Sequence, residues 1–569
     1  MVNALRLSLI ALTVVAFSAC EGAPGSVLVP DDITAGTMSS ATVEAGGAGK
    51  PTHWSAMTAK ELWAHVAALD STVLVGLKEP AQRRGIDERG RALVPGRLWT
   101  PFARRVEALG VDLLYVDDFH PLVKLRLSGP DQIEALRRSP FVEYVEPASF
   151  DVSEVLMEFG CGSTDVGISG RTQSPGDIVP GTLAWHQIPE AWQLSIGTGV
   201  TIGVVDTGTS IFQPQLQQEF TTGLSAGRTI SYDYSDANSA SGPPPWHDTC
   251  GHGTKSLGLA AAPRDGRNIV GVAYGANAYA VRAIDDVTAG PGQWLEVRDG
   301  IRRAADNAHI VNMAFGWTWG NSEVTSTIQY YHNNTNPVTN QRTLFIGAAG
   351  THKDYAYGTI SPPGRSVVYP ANLPEVVAVT GTRGGTSPCS NCNYGPEVEF
   401  AAYTEGQTTG RNEGQIEGFG GSSAATAVVS GIAALVWSRY PTWSRDQVLA
   451  RMRESARWRT PQVRDDRIGH GTIDALQAVG GLAQAHLGGP SPVYDSGTYG
   501  YEIFHEGGVG PFTYQWSTGE TTKQIMVTVE TRAEDYTFTL SGSVTDGNGM
   551  SRSVQLHVLV YSNFGLGVG

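Results

Sequence analysis

The sequence predicts an α/β protein. A parallel sheet carries helices on both faces, with a small α+β module before it and an all-β sandwich after it. Three observations carry this. Apolar or β-branched runs alternate with helical stretches over residues 180–484. A strand–helix–strand–strand–helix–strand pattern occupies 72–147. Beyond about residue 490, strand-like runs are separated by glycine-rich turns alone. The 569 residues make roughly three or four domains of ordinary size.

Met1 to Ala19 carries Arg6, then an apolar run from Leu7 to Phe17 and small residues, the pattern of an export signal. It ends Ala16-Phe17-Ser18-Ala19-Cys20, which resembles the bacterial lipobox and makes Cys20 a lipidation candidate. One acylated cysteine attaches a chain to a membrane without a spanning helix. Residues 1–20 are thus read as signal and 21–71, rich in Gly, Ala, Ser and Thr, as a linker with one helical patch near Thr58 to Ala68. In the next module Val73-Leu74-Val75, Val123 to Leu127 and Phe141 to Val145 read as strands. Helices are expected over Pro101 to Leu109, opened by Thr100 and Pro101, and over Pro130 to Arg138.

In the central region the expected strands are Val200 to Val205, Ala278 to Ile284, His309 to Ala314, Leu344 to Ala348 and Val376 to Val379. The expected helices are Gly253 to Ala262, Leu295 to Asn307, Ser423 to Ser438 and Arg445 to Ser455. In the tail, strands are expected over Tyr499 to Phe504, Thr513 to Trp516, Gln524 to Val529, Tyr536 to Val544 and Val554 to Tyr561. Tyr514 and Trp516 read as sandwich core.

Composition removes several functional classes. The chain has 40 basic and 55 acidic residues, a net charge of −15, and no basic stripe, so no nucleic-acid partner is expected. No second apolar run after the N-terminus reads as long enough to span a bilayer, which takes about 20 residues. Beyond Cys20, four cysteines remain: Cys161, Cys250, Cys389 and Cys392. In an oxidising compartment they suggest two disulfides, with three pairings open. A small loop closed by Cys389 and Cys392 would leave Cys161 with Cys250. A lone CxxC is short of the four ligands that structural zinc takes.

Three segments carry chemistry. Val200 to Gly208 places Asp206 at the end of a strand, where parallel sheets build their sites. Gly251-His252-Gly253-Thr254 runs into a small-residue helix. Gly421-Ser422-Ser423-Ala424-Ala425 starts another, where a serine gains from the helix dipole and from backbone N–H groups. Alone, each has a plain reading: a loop cap, a structural histidine, an N-cap. Together, in the order Asp, His, Ser, they resemble the subtilisin-like serine proteases, or subtilases. Trp185 to Trp192, Ile269 to Ala273, Val311 to Gly316 and Gly471 to Ala475 extend the resemblance over the central region.

The resemblance implies a subtilisin-like fold and a serine endopeptidase acting on proteins or peptides, with no cofactor needed for the chemistry. Ser423 would be the nucleophile, His252 its base and then acid, and Asp206 the group that orients His252. Ala314, Phe315 and Gly316, with Ala348, Ala349 and Gly350, would hold substrate. Ser423 and Thr351 would form the oxyanion site. Thr351 stands where the family carries Asn, and Ala427 where it carries Pro. Where many subtilases place a calcium-binding Asp, this chain has Gln215, so a structural calcium is left without an assigned site. The second Gly-His-Gly-Thr string, 469–472, follows Ser423 and lacks the small-residue helix, so His470 reads as structural.

Residues 72–147 resemble the inhibitor-type propeptide of subtilases, an intramolecular partner removed by self-cleavage within 148–180. The catalytic domain is expected over 181–485 and an Ig- or PKD-like domain over 490–562. Two rival classes remain: a subtilase-fold binding protein without useful catalysis, and a carbohydrate-binding surface protein resting on the tail.

Overall fold

The computed structural model describes residues 54–78, 85–86, 92–93, 96–117, 122–151, 176–235, 244–285, 291–317, 320–351, 366–383, 387–457 and 464–562. The signal segment, Cys20 and Cys161 lie outside them.

The centre is a nine-stranded sheet. Its order is Ala456–Arg457, Thr472–Ile473, Val398–Tyr403, Val376–Thr382, Leu344–Ala348, Ile310–Met313, Thr201–Asp206, Asn277–Arg282 and Ile230–Tyr234. Every pairing is parallel except Ala456–Arg457 with Thr472–Ile473. Strands buried on both faces read as continuous apolar runs, which is why these are visible in the sequence. Four of the nine are not: Ile230–Tyr234 carries polar residues on the sheet edge, Val398–Tyr403 has Glu399 within its run, and Thr472–Ile473 and Ala456–Arg457 are two residues long each.

Alternation splits the sheet's side chains between two cores. Ile202, Val204, Ile346 and Val379 face the helices His252–Ala261 and Gly421–Arg439. Val205, Val311, Met313 and Phe345 face Trp294–Asn307 and Ser322–Asn333. Gly421–Arg439 has 19 residues and is apolar enough to cross a membrane by length and composition, contrary to the expectation from the sequence. It is instead the central core helix, buried over almost its whole surface.

The N-terminal module is a four-stranded antiparallel sheet in the order Asp112–Val116, Leu122–Arg126, Thr72–Leu77 and Val142–Pro147. Its core begins upstream of the expected boundary at 72. Trp54, Leu62 and Val66 are buried with Val73, Val75, Ile133 and Leu136, and the helix Ala59–Ala67 starts in a capping box between Thr58 and Glu61. The second helix runs Gly96–Leu109, so Pro101 lies inside it rather than opening it.

The other face of this sheet docks on the central domain. Leu74, Leu122 and Ala148 join the core around Trp294, Phe315 and Trp317. Glu146 accepts hydrogen bonds from the Ser322 N–H (2.9 Å) and Oγ–H (2.5 Å) and from Asn321 Nδ2 (3.1 Å), at the start of Ser322–Asn333. A buried ion pair joins Asp117 to Arg298 at 2.5 Å, and Tyr144 donates to Glu323. Ser149–Asp151 then adds an antiparallel strand to Pro291–Gln293.

The tail forms two three-stranded antiparallel sheets. One is Leu482–Gly488, Gly497–Gly507 and Gln524–Val529; the other is Thr513–Trp516, Tyr536–Thr545 and Ser551–Val560. The first strand starts at Leu482, upstream of the expected boundary between the central domain and the tail. Trp516 is buried and donates Nε1–H to the Thr522 carbonyl at 2.7 Å. Tyr514 shares its face, half-buried.

Candidate active site

The site lies at the carboxyl ends of the parallel strands. Asp206 is the last residue of Thr201–Asp206 and fully buried. His252 is the first residue of His252–Ala261. Gly253 lets that helix start close to the strand end: a Cβ there would lie 2.4 Å from the Gly208 carbonyl oxygen. His252 Nδ1 stands 2.8 and 3.0 Å from the two carboxylate oxygens of Asp206. A carboxylate only accepts, so Nδ1 carries the proton and the Nε2 lone pair is left for a substrate-side proton. Asp206 also accepts from the Thr207 N–H (2.7 Å) and the Ser256 hydroxyl (3.0 Å). The edge of the His252 ring packs against Phe419, centroids 5.2 Å apart.

Sequence reasoning missed the group that shapes this turn. Asp248 is fully buried and accepts five hydrogen bonds. Its donors are the N–H groups of Cys250, Gly251 and Thr254 and the hydroxyls of Thr207 and Thr254. Burial pushes its carboxyl above the usual range, against the pull of those bonds, and the charge of Asp206 adds to the rise. Thr207 closes the circuit by accepting the Gly253 N–H at 2.9 Å. The signal in the sequence is an Asp followed by turn residues just before a helix, a common local pattern. Only the fold shows that it braces His252.

Ser423 is the third residue of Gly421–Arg439, where backbone N–H groups have no partner within the helix. Its hydroxyl donates to the Ala314 carbonyl at 3.0 Å, and among the described residues there is no hydrogen bond between Ser423 and His252. Such bonds are often loose before substrate binds. Thr351 is nearly buried and its Oγ1 accepts the Ser422 N–H at 2.9 Å. Ala314 and Gly316 follow the strand Ile310–Met313, and the Phe315 side chain is buried beside Trp317 with ring centroids 5.0 Å apart. Ala348 ends its strand, Ala349 is buried, and the Gly350 carbonyl accepts the Asn393 N–H at 2.9 Å.

Cys389 and Cys392 form a disulfide, and the backbone of Cys392 bridges to Thr351. Cys250 is also disulfide-bonded. Gln215 donates Nε2–H to the Ile269 carbonyl at 2.6 Å and accepts from Thr409 Oγ1 at 2.9 Å. Both ends of its amide are used within the protein. His470 lies 3.7 Å from Glu399, near the start of Val398–Tyr403. That is the end of the sheet opposite Asp206, away from the site.

A profile of the subtilase family matches residues 197–471. Thermitase of Thermoactinomyces vulgaris is 30% identical over 256 residues, covering 44% of this chain and 80% of thermitase. The chain belongs to the subtilase family. A thermostable alkaline protease of Halalkalibacterium halodurans is 29% identical over 353 residues, 62% of this chain and 81% of that protein. The minor extracellular protease Epr of Bacillus subtilis is 29% identical over 348 residues, 60% of this chain and 47% of its own length. This subtilase is accordingly a serine endopeptidase whose substrates are proteins or peptides.

Proposed function

We propose that hydrolysis runs through Asp206, His252 and Ser423 by way of an acyl-enzyme. The observation that carries this is the His252 Nδ1 to Asp206 contact at 2.8 Å, which leaves Nε2 on the side of the ring away from the carboxylate. Ser423 turns from Ala314 to His252, gives up its proton and attacks the peptide carbonyl. The protonated His252, stabilised by Asp206, then donates to the leaving amine. Water repeats the sequence to release the acid. The Ser423 N–H and Thr351 hold the oxyanion, and Ala314 to Gly316 pair with the substrate backbone as an added strand.

The chain is made as a zymogen. Residues 54–147 are the propeptide, held by the Glu146, Asp117 and Tyr144 contacts. Ser149–Asp151 lies along Pro291–Gln293 in the manner of a bound peptide, so self-cleavage falls after Asp151 and within 152–180. The N-terminal signal exports the chain, in keeping with a Bacillus subtilis relative that is an extracellular protease. Lipid on Cys20 tethers the precursor, and cleavage frees the enzyme unless the propeptide stays bound. No cofactor enters the chemistry.

The test is intact mass of the purified full chain and of Ser423→Ala, each treated with a fluorophosphonate. A shortened, labelled wild type beside a full-length, unlabelled variant is expected. A full-length, unlabelled wild type would sink the reading, and a shortened Ser423→Ala would assign the cut to another protease.

A further inference from the structure

We propose that Ser422 is a positioning residue that turns the hydroxyl of Thr351 into the side-chain donor for the oxyanion. This rests on the reading of Ser423 as nucleophile. A single hydroxyl is a weak replacement for an amide, because it is short and free to rotate. Here it is not free. Thr351 Oγ1 accepts the Ser422 N–H at 2.9 Å and lies 3.0 Å from Ser422 Oγ. Ser422 Oγ in turn accepts the Gly350 N–H at 3.0 Å. Both hydroxyls are almost fully buried, so water does not compete freely for them.

A hydroxyl has one proton and two lone pairs. The Ser422 N–H occupies one lone pair of Thr351. When the Ser422 hydroxyl donates to the other, Thr351 has no acceptor capacity left and its proton points outward. The Gly350 N–H on Ser422 Oγ strengthens that donation, since chained hydrogen bonds polarise one another. Thr351 Oγ1 is then anchored to the amide next to that of Ser423. In the resting enzyme the proton order between the two hydroxyls can reverse. Negative charge developing on the substrate oxygen favours the outward order, reached by rotating two hydroxyl hydrogens with no heavy atom moving. Gly421 makes the contact possible. Its φ is +67°, and a Cβ there would lie 2.4 Å from Thr351 Oγ1.

Steady-state hydrolysis of a chromogenic peptide anilide by the matured enzyme tests this. Thr351→Val should lower kcat about a hundredfold with KM little changed, the usual cost of one oxyanion donor. Ser422→Ala should lower kcat about tenfold, the worth of one ordinary hydrogen bond, and Ser422→Thr should keep it. The deciding comparison repeats Ser422→Ala in Thr351→Val and Thr351→Asn. Removing Ser422 orphans the Gly350 N–H in every background, so the fall in Tm should be equal, while the fall in kcat should vanish in both. An equal fall in kcat in all three backgrounds, or none in the parent, overturns the proposal. For variants that mature slowly, the rate at which fluorophosphonate labels Ser423 replaces kcat. An unlabelled wild type would sink the nucleophile assignment instead, so the two failures are distinct.

Discussion

Asp248 stands four residues before His252 and holds the turn that delivers it, accepting the Gly251 N–H at 2.7 Å and the Thr254 N–H at 2.8 Å. Truncation would leave the buried N–H groups of Gly251 and Thr254, and the part-buried one of Cys250, without this acceptor. Asp248→Ala should cost about 3–5 kcal/mol, by comparison with other broken buried charge networks. Thermal unfolding of the Ser423→Ala full chain, with and without Asp248→Ala, measures it. A loss within about 0.5 kcal/mol, the range of ordinary surface changes, would show that the turn needs no brace.

Asp206→Asn keeps the shape of the side chain but presents an amide to His252. The amide can hold the imidazole with its proton on Nε2, the wrong nitrogen for a base. A fall in kcat of about ten-thousandfold is expected, as for the same change in other triads. Tm should move little. Peptide hydrolysis at neutral pH reads the first and calorimetry the second. A fall under tenfold would remove Asp206 from the mechanism.

Glu296 is buried beneath the N-terminal module, and burial, with Asp285 and Asp299 adding to it, pushes its carboxyl up to about 8 against the opposing pull of Lys124 and Arg282. A carboxyl raised on folding binds its proton more tightly in the folded state. Stability is therefore greatest below the ordinary carboxyl range and is lost as pH rises from there to about 8. The loss is on the order of 3 kcal/mol, since each tenfold gain in proton affinity is worth about 1.4 kcal/mol and solvent screening reduces the total. In Ser423→Ala full chain, Tm should drop between pH 5 and 8, and Glu296→Gln should flatten that drop. Parallel pH curves for the two proteins would contradict the assignment.

The Cys389–Cys392 disulfide closes a very short loop, and Cys392 bridges to Thr351. Loop entropy predicts that Cys389→Ser with Cys392→Ser costs about 2 kcal/mol. If the bridge steadies the oxyanion strand, kcat should fall as well while KM stays. An unchanged kcat beside a lowered Tm would confine the disulfide to stability.

The central strands and helices are legible because burial on both faces writes long apolar runs. The run Leu344–Ala348 matches its strand to the residue, and the ends of Gly421–Arg439 differ from the expected helix by one or two. The helical patch expected near Thr58 to Ala68 is present as the helix Ala59–Ala67, but the sequence places it, with Trp54, in a linker rather than in a core. Its burial depends on strands that follow it. Pro101 reads as a helix start, yet Gly96–Leu109 begins upstream of it. The strand Leu482–Gly488 is hidden in the sequence because its partner, Gly497–Gly507, is what provides a sheet for it to join.

By itself the sequence determined the chemistry on offer: an Asp at a strand end, a His and a Ser at helix starts, in one chain order. Those features are local, written in a few neighbouring residues and in the period of the apolar pattern. Only the tertiary structure decided how they are held. It set Asp248 against Thr207, 41 residues away, and Thr351 against Ser422, 71 residues away. It also laid the N-terminal module on Arg298 and Ser322. Such partners are chosen by how sheets and helices pack, and a buried polar group takes whatever donor the packing brings within about 3 Å.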